Sequence, residues 1–157
     1  MSTAASRRRL NEAISALSRF TRSRKLDALH AERAGVALNF PAFSVLGRLV
    51  DDGPLGVGEL GRRAHMAPNA LSRQIKLLED DGYVERRPHP DDGRSWVLAA
   101  TAEGRTAHRR LRQANETMLA RQLRDWTDDE MEELAAALER LVGDLRGQRE
   151  GEEGRPG

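Results

Sequence analysis

The chain has 157 residues, with 38% hydrophobic and 32% charged side chains but only 4% aromatic ones. This length allows one well-cored domain with helical extensions and excludes two large independent domains, and the leucine and alanine content predicts a mainly α-helical fold. The absence of cysteine excludes disulfides, thiolate metal sites and cysteine nucleophiles, and the net charge of +1 by itself gives no sign of nucleic-acid binding.

The first predicted element is a long amphipathic helix over residues 6 to about 34. Leu10, Ile14 and Leu17 recur at spacings of four and three residues, as in a helix with one apolar stripe. Arginines cover much of the remaining circumference, so the helix could bind a membrane or nucleic acid, or simply carry a solvated basic face. The modest apolar stripe favours the solvated face, and Gly35 is predicted to end the helix.

Nothing in the sequence is suited to a membrane. No run approaches the roughly 18 apolar residues of a spanning helix, and residues 1–9 lack the apolar core of a signal peptide. We therefore expect a cytoplasmic protein with no membrane partner.

The second predicted helix begins after Asn39. The side-chain oxygen of Asn39 can cap its first turn, where Pro41 is also well placed. Residues 51–54, Asp-Asp-Gly-Pro, are expected to stop it. Its predicted inner face consists of Phe43, Leu46, Leu49 and Val50.

Two short helices around a tight turn follow. Residues 55–57 are predicted as an extended connector, and residues 59–65 as a short helix with Arg62 and Arg63 on its outer side. Pro68 suits the first position of the next helix. Two helices separated by so short a turn predict a helix-turn-helix.

The second helix of this pair has two chemically different faces. Leu71, Ile75 and Leu78 recur at four and three residues, as a buried stripe must. The other side carries amide, hydroxyl and cationic groups that suit a DNA major groove, although the same face on an isolated helix would more simply be solvated. The groove-facing candidates are Pro68, Asn69, Ser72, Arg73 and Lys76.

A hairpin directly after this helix is predicted to form a wing. Gly82 is expected to end the helix in a left-handed conformation, and residues 83–87 and 95–99 are predicted as the two strands. At the tip, Asp92 and Arg94 flank a glycine. An arginine on a thin hairpin can enter a minor groove, whereas the alternative is an ordinary hydrophilic tip.

Two helices and a tail complete the chain. Thr101 is predicted to cap a helix that runs to about residue 123, and Thr127-Asp-Asp-Glu130 fits the capping box of a last helix. Apolar residues then recur at three, four, three and four, the spacing of a helix that packs against other helices. They are Met131, Leu134, Leu138, Leu141 and Leu145. The polar residues 147–157 are predicted to be a disordered tail.

No catalytic or metal-binding set is recognisable. The four histidines are far apart in sequence, although a fold could bring two of them, such as His30 and His108, together. No nucleophile with a base, carboxylate pair or phosphate loop occurs at a meaningful spacing. We predict that the chain is not an enzyme and uses no cofactor or metal.

The order of these elements resembles the MarR family of bacterial transcriptional regulators, and so does the local sequence. Residues 54–60 look like the family's entry into its helix-turn-helix, and residues 71–87 like its recognition helix and first wing strand. Asp92-Gly-Arg94 followed by Thr101-Ala-Glu-Gly104 matches the family's Asp-x-Arg wing signature and Thr-x-x-Gly helix opening. The resemblance covers roughly residues 10–145, with departures at Gly58, Gly61, Ala67 and Ala100 that are expected to loosen local packing.

The resemblance implies a mainly α fold with a small β-hairpin wing, in which a winged helix-turn-helix domain is flanked by N- and C-terminal dimerisation helices. Residues 1–38 would form the N-terminal dimerisation helix and residues 39–100 the DNA-binding domain. Residues 101–146 would form the C-terminal dimerisation helices, followed by the tail. The implied dimerisation residues are Leu10, Ile14, Leu17, Met131, Leu134, Leu138, Leu141 and Leu145.

The implied function is that of a homodimeric, sequence-specific regulator of transcription that binds a pseudo-palindromic operator in double-stranded DNA. The family pattern assigns the wing tip to Arg94 with support from Asp92, and Arg62 and Arg63 could add contacts to the DNA backbone. A ligand-responsive repressor is expected, with an effector that the sequence does not identify. Many relatives bind small aromatic acids in a crevice where Phe43 and His30 are expected to lie. The alternative is a winged helix that binds another protein and no specific DNA sequence.

Overall fold

The computed structural model describes residues 3–21 and 34–153. The chain divides into two compact units, Met1–Thr117 and Met118–Gly157. Among the described residues, six helices and one antiparallel hairpin confirm the predicted fold class. They are α1 (Ala4–Thr21), α2 (Phe40–Asp51), α3 (Val57–Ala64), α4 (Pro68–Asp80), β1 (Val84–Pro88), β2 (Trp96–Ala100), α5 (Ala102–Gln122) and α6 (Asp128–Glu153).

Helix α1 begins two residues earlier than predicted. The hydroxyl of Thr3 accepts a hydrogen bond from the backbone N–H of Ser6 at 3.1 Å, which caps the first turn. The predicted continuation of this helix falls on residues 22–33, which lie outside the described residues. Gly35 follows them with a φ of 64°, the left-handed conformation expected at a helix end.

Helix α2 starts as predicted but buries a different face. The N–H of Ala42 donates to Asn39 Oδ1 at 2.8 Å, which confirms the Asn39 cap. Of the predicted inner face, Leu46 and Leu49 are buried, whereas Phe43 and Val50 are only half-buried. The buried apolar side chains follow the spacing of three, four and seven residues and are those of Ala42, Val45, Leu46 and Leu49.

Helices α2, α3 and α4, the start of α5 and the hairpin share one apolar core. The predicted stripe of α4 is confirmed, because Leu71, Ile75 and Leu78 are all buried. The largest fully buried side chains come from α2, α3, α4 and β2 and include Leu46, Leu60, Leu71, Leu78 and Leu98. This common core fixes α4 and the hairpin relative to each other.

The connector before α3 was predicted only in part. Leu55 is extended and exchanges two backbone hydrogen bonds with Leu98, at 3.0 and 2.8 Å. It therefore forms an isolated antiparallel β-bridge with β2. Val57, by contrast, is already helical. The two hairpin strands lie one residue further along the chain than predicted, with Val84 opposite Ala100 and Pro88 opposite Trp96.

The start of α5 is hydrogen-bonded to the residues that follow α4. Gly82 ends α4 with a φ of 73°, as predicted. Thr101 Oγ1 donates to the carbonyl of Gly82 at 2.7 Å and accepts from the N–H of Gly104 at 3.0 Å, which confirms the predicted cap. A Cβ at Gly104 would lie 2.1 Å from the carbonyl oxygen of Tyr83, so this close approach requires glycine.

Helix α6 is longer than predicted. Its capping box is confirmed by hydrogen bonds between Thr127 and Glu130, which lower the pKa of the Glu130 carboxyl. The prediction of a disordered tail from residue 147 was wrong over residues 147–153, which continue the helix. Glutamine, arginine and glutamate favour a helix there, and residues 147–153 contain no proline. No helix of the described residues is long and apolar enough to cross a membrane.

Candidate nucleic-acid interface

The turn between α3 and α4 is tight and closely packed. His65 caps α3 in the left-handed conformation, with a φ of 52°. A Cβ at Gly61 would lie 3.3 Å from the side chain of Leu71 in α4. Gly61 therefore brings the two helices close together and does not loosen them as expected. Ala67 makes no side-chain cap, but Pro68 takes the first turn of α4 as predicted.

The outer face of α4 presents unpaired polar groups to solvent. Asn69, Ser72 and Arg73 are exposed, and within the described residues none of their side chains has a hydrogen bond or an ion pair. The first turn of α4 contains no acidic residue. Its free backbone N–H groups and helix dipole favour an anion at this end. The arrangement leaves the start of α4 free to bind an anion or a polar surface.

Lys76 is exposed on the same face, but it has an intramolecular partner. Its ammonium group lies 2.9 Å from a carboxylate oxygen of Asp80, one turn further along α4. Both side chains are largely exposed, so the ion pair is weak and readily exchanged for another anion. The unpaired polar surface of α4 therefore ends before Lys76, and the helix itself ends in acidic residues.

Arg62 and Arg63 are less available than predicted. Both guanidinium groups contact the carboxylate of Glu59, at 2.6 and 2.7 Å, and Arg63 also lies 3.1 Å from Asp52. Hydrogen bonds from Arg63 and then Arg62 lower the pKa of the Glu59 carboxyl. Two cations and two anions balance here, so this end of α3 offers no net positive charge to DNA.

The wing tip is shaped by the backbone contacts of Asp92. Its Oδ1 accepts the N–H of Arg94 at 3.1 Å, and its carbonyl accepts the N–H and the hydroxyl of Ser95 at 3.0 and 3.1 Å. The ring of His89 accepts the N–H of Asp91 at 3.1 Å. Asp92 therefore does not neutralise the Arg94 side chain, which is exposed and has no ion pair within the described residues.

One link between α4 and the wing was missed. Arg86 of β1 donates from Nε to Oε1 of Glu79 in α4 at 2.7 Å, and this contact raises the pKa of the arginine. The two residues are seven apart in sequence, a spacing that has no meaning unless the path of the chain between helix and strand is known. The ion pair helps to set the position of the hairpin against the recognition helix.

Comparison with known proteins agrees with this geometry. A sequence model of the MarR family matches residues 38–96, which extend from the α2 cap to the start of β2. An HTH-type transcriptional repressor of Mycobacterium tuberculosis is 32% identical over 109 residues, which are 69% of this chain and 78% of the relative. This chain belongs to the MarR family. In keeping with the names of its relatives, it is a transcriptional regulator.

Two solved structures have the same fold as this MarR-family chain. A probable transcriptional regulator from Pseudomonas aeruginosa is 27% identical, with a TM-score of 0.67, over 84% of this chain and 98% of that one. A mutant MarR from E. coli, complexed with operator DNA, has a TM-score of 0.67 over 85% and 93% of the two chains. Its identity is 24%, so this second likeness concerns the fold alone.

The apolar stripes of the MarR-family chain are uncovered in both units. In the first unit, Leu10, Ile14 and Leu17 of α1 are all exposed. In the second unit, Met131 and Leu141 of α6 are half-buried. The rest of the predicted α6 stripe is exposed, with relative accessibilities of 42%, 40% and 55% for Leu134, Leu138 and Leu145. Exposed apolar stripes of this kind are typical of surfaces that contact another protein.

Of the two residues expected at an effector crevice, the structure describes only Phe43. Phe43 stacks on the buried ring of His108, with centroids 4.7 Å apart and planes at 20°. His30 lies outside the described residues. Burial lowers the pKa of His108, against an opposing influence of Asp51, and a Cβ at Gly47 would lie 3.0 Å from its Nε2. These contacts serve the packing of α2 against α5.

A cleft of about 320 Å³ lies elsewhere in the first unit, at the start of α5. It is lined by Gly35, Val36, Tyr83, Ala102, Glu103, Thr106, Ala107 and Arg110. Its polar groups are few and of both signs, so they do not define one class of ligand. Among the described residues, no group of three or more histidine and acidic side chains could hold a metal ion.

Proposed function

We propose that this chain is a homodimeric repressor that reads a pseudo-palindromic operator through α4 and the wing. The observation that carries the proposal is the set of exposed, unpaired polar side chains on α4, Asn69, Ser72 and Arg73, held opposite a fully buried stripe. Arg94 adds an exposed cation on the hairpin that the same core holds in place. The family membership and the operator complex of the similar E. coli fold support this proposal.

Each of these side chains suits a particular task on DNA. Arg73 can donate two hydrogen bonds to O6 and N7 of a guanine, and Asn69 can read an adenine or hold a phosphate. Ser72 and Lys76 suit phosphate contacts, the latter after exchange of Asp80 for the DNA backbone. Arg94 would enter the minor groove. Pro68 places the N-terminal amides of α4 toward the backbone, whereas Arg62 and Arg63 contribute least because of Glu59.

The uncovered apolar stripes support separate regions of the chain for dimerisation and for DNA binding. Residues 1–38 and 101–146 would form the dimerisation helices, and residues 39–100 the DNA-binding domain. Two copies related by a two-fold axis would place their recognition helices about one DNA turn, roughly 34 Å, apart. A small-molecule effector would act by biasing that separation. Because its partner is chromosomal DNA, the regulator is proposed to work in the cytoplasm.

The test is selection of bound fragments from genomic DNA at two salt concentrations. We expect enrichment of a palindromic sequence whose half-sites are about 10 base pairs apart, with weaker binding at higher salt because phosphate contacts release counterions. Arg94→Ala should weaken binding without loss of folding, whereas Arg121→Ala, an exposed arginine near the end of α5, should not. Absence of any enriched palindrome, together with a salt-insensitive protein partner, would instead support a protein-interaction module.

A further inference from the structure

A large aromatic side chain lies uncovered beside the wing tip. Trp96 is the first residue of β2, two positions after Arg94, and it is 58% exposed. Directly opposite it in the hairpin is Pro88, which is also exposed. Single exposed apolar residues are common on protein surfaces, so the position of Trp96 must decide whether it has a task.

The face of the hairpin that carries Trp96 is directed toward the recognition helix. Side chains alternate between the two faces of a strand, and in this register Arg86 shares the face of Trp96. Arg86 contacts Glu79 of α4, at 2.7 Å. The buried members of the same face are Val84, Leu98 and Ala100. Trp96 therefore continues the α4-facing side of the hairpin past the edge of the core, where more than half of it is exposed.

We propose that Trp96 packs on the sugar-phosphate backbone of the DNA, at the wall of the minor groove that Arg94 enters. This inference rests on the proposed function. Two residues of extended chain span at most about 7 Å, so an indole at Trp96 is within reach of whatever Arg94 contacts. Its flat apolar ring fits the face of a deoxyribose, and its N–H can donate to a phosphate oxygen.

DNA fits this surface better than a protein partner does, because of charge and continuity. Arg94 is an unpaired cation next to Trp96, and the exposed face is continuous with the side of the hairpin that meets α4. A groove wall offers an anionic backbone with apolar sugar edges, which matches a cation beside an indole. Trp96 would then act as a sequence-independent anchor that fixes how deeply the wing enters the minor groove.

Fluorescence can test this contact directly, because the chain has only two tryptophans. The Trp126→Phe variant leaves Trp96 as its single reporter, and the Trp96→Phe variant leaves Trp126 as the matched control. Each is titrated with a duplex that carries the enriched genomic sequence, while the anisotropy of a dye on that DNA reports binding independently. We expect acrylamide quenching of Trp96 to fall at least about two-fold at saturation, with Trp126 unchanged.

Affinity measurements distinguish the anchor from an ionic contact. We expect Trp96→Ala to weaken binding roughly 5- to 20-fold with an unchanged slope of log affinity against log salt, since an apolar contact releases no counterion. Trp96→Phe should recover most of the loss. Arg94→Ala should reduce the slope by about 1. Circular dichroism checks folding, and the single-tryptophan titration decides the matter if Trp96→Ala is unstable.

Three results would overturn the inference. If the anisotropy shows DNA binding while Trp96 quenching and the Trp96→Ala affinity stay unchanged, the anchor is wrong and the proposed regulator stands. If Trp96 becomes protected with rising protein concentration in the absence of DNA, the residue serves a contact between copies. If no duplex is bound at either salt, the proposed function fails and the anchor fails with it.

Discussion

Gly104→Ala should destabilise the chain through one defined clash. The new Cβ would lie 2.1 Å from the carbonyl oxygen of Tyr83, and ordinary contact begins near 3.4 Å, so the start of α5 would have to move by about 1.3 Å. That shift breaks the bond from the Thr101 N–H to Tyr83, 3.0 Å long, and the bond from the Thr101 hydroxyl to Gly82, 2.7 Å long.

The expected magnitude follows from these terms. Two lost hydrogen bonds cost about 1 kcal/mol each, overpacking costs about 1–3 kcal/mol, and the better helix propensity of alanine returns about 1 kcal/mol. The net loss is about 2–4 kcal/mol in the free energy of unfolding. For a chain of this size, it corresponds to a fall in Tm of roughly 4–16 °C.

Two other glycines provide a graded control. A Cβ at Gly61 would approach a flexible leucine side chain at 3.3 Å, and one at Gly58 would meet only Arg62 at 3.8 Å. Thermal unfolding is followed by circular dichroism at one fixed protein concentration. The Tm of Gly104→Ala should lie far below that of Gly61→Ala, and the Tm of Gly58→Ala should equal or exceed that of the parent. If Gly104→Ala unfolds at the temperature of the parent, the close approach of α5 to the backbone of Tyr83 is wrong.

Two further predictions concern α5 and α6. Because burial holds the pKa of His108 below its unfolded value of about 6.5, its contribution to stability is fully present above that pH and is lost as the pH falls from there through the lower pKa of the folded state. His108→Phe should reduce this acid sensitivity of the free energy of unfolding, measured by urea titration at several pH values. If the variant keeps the pH dependence of the parent, His108 does not cause it. Leu138→Arg places a charge in the exposed α6 stripe and should shift sedimentation from dimer to monomer, whereas an unchanged dimer would remove α6 from the proposed interface.

Local signals in the sequence predicted most of the winged helix. The Asn39 cap, the spacing of Leu71, Ile75 and Leu78, and the glycine at position 82 each depend on neighbours within one or two turns, and the structure confirms them. The tail was mispredicted over residues 147–153, where two glycines and several charges suggest disorder. The individual propensities of its other residues for a helix were given too little weight.

Contacts between distant segments were missed for a different reason. The Leu55–Leu98 bridge and the Phe43–His108 stack join residues more than 40 positions apart. The periodicity of the sequence therefore cannot predict them. The neutralisation of Arg62 and Arg63 was visible in principle, since Glu59 stands three and four residues earlier on the same helix. Together with this carboxylate, the outward cations carry less free positive charge than their positions alone suggest.

The central claim is that α4 reads base edges, and the sequence discrimination of Arg73→Ala tests it most directly. Affinity is measured for the enriched operator and for a scrambled duplex of equal length, at one salt concentration, for parent and variant. Loss of a bidentate guanine contact should remove about 1–3 kcal/mol of discrimination, a factor of about 5–150, while binding to the scrambled duplex changes far less. If Arg73→Ala prefers the operator as strongly as the parent does, α4 is not the reading helix in the way its exposed face indicates.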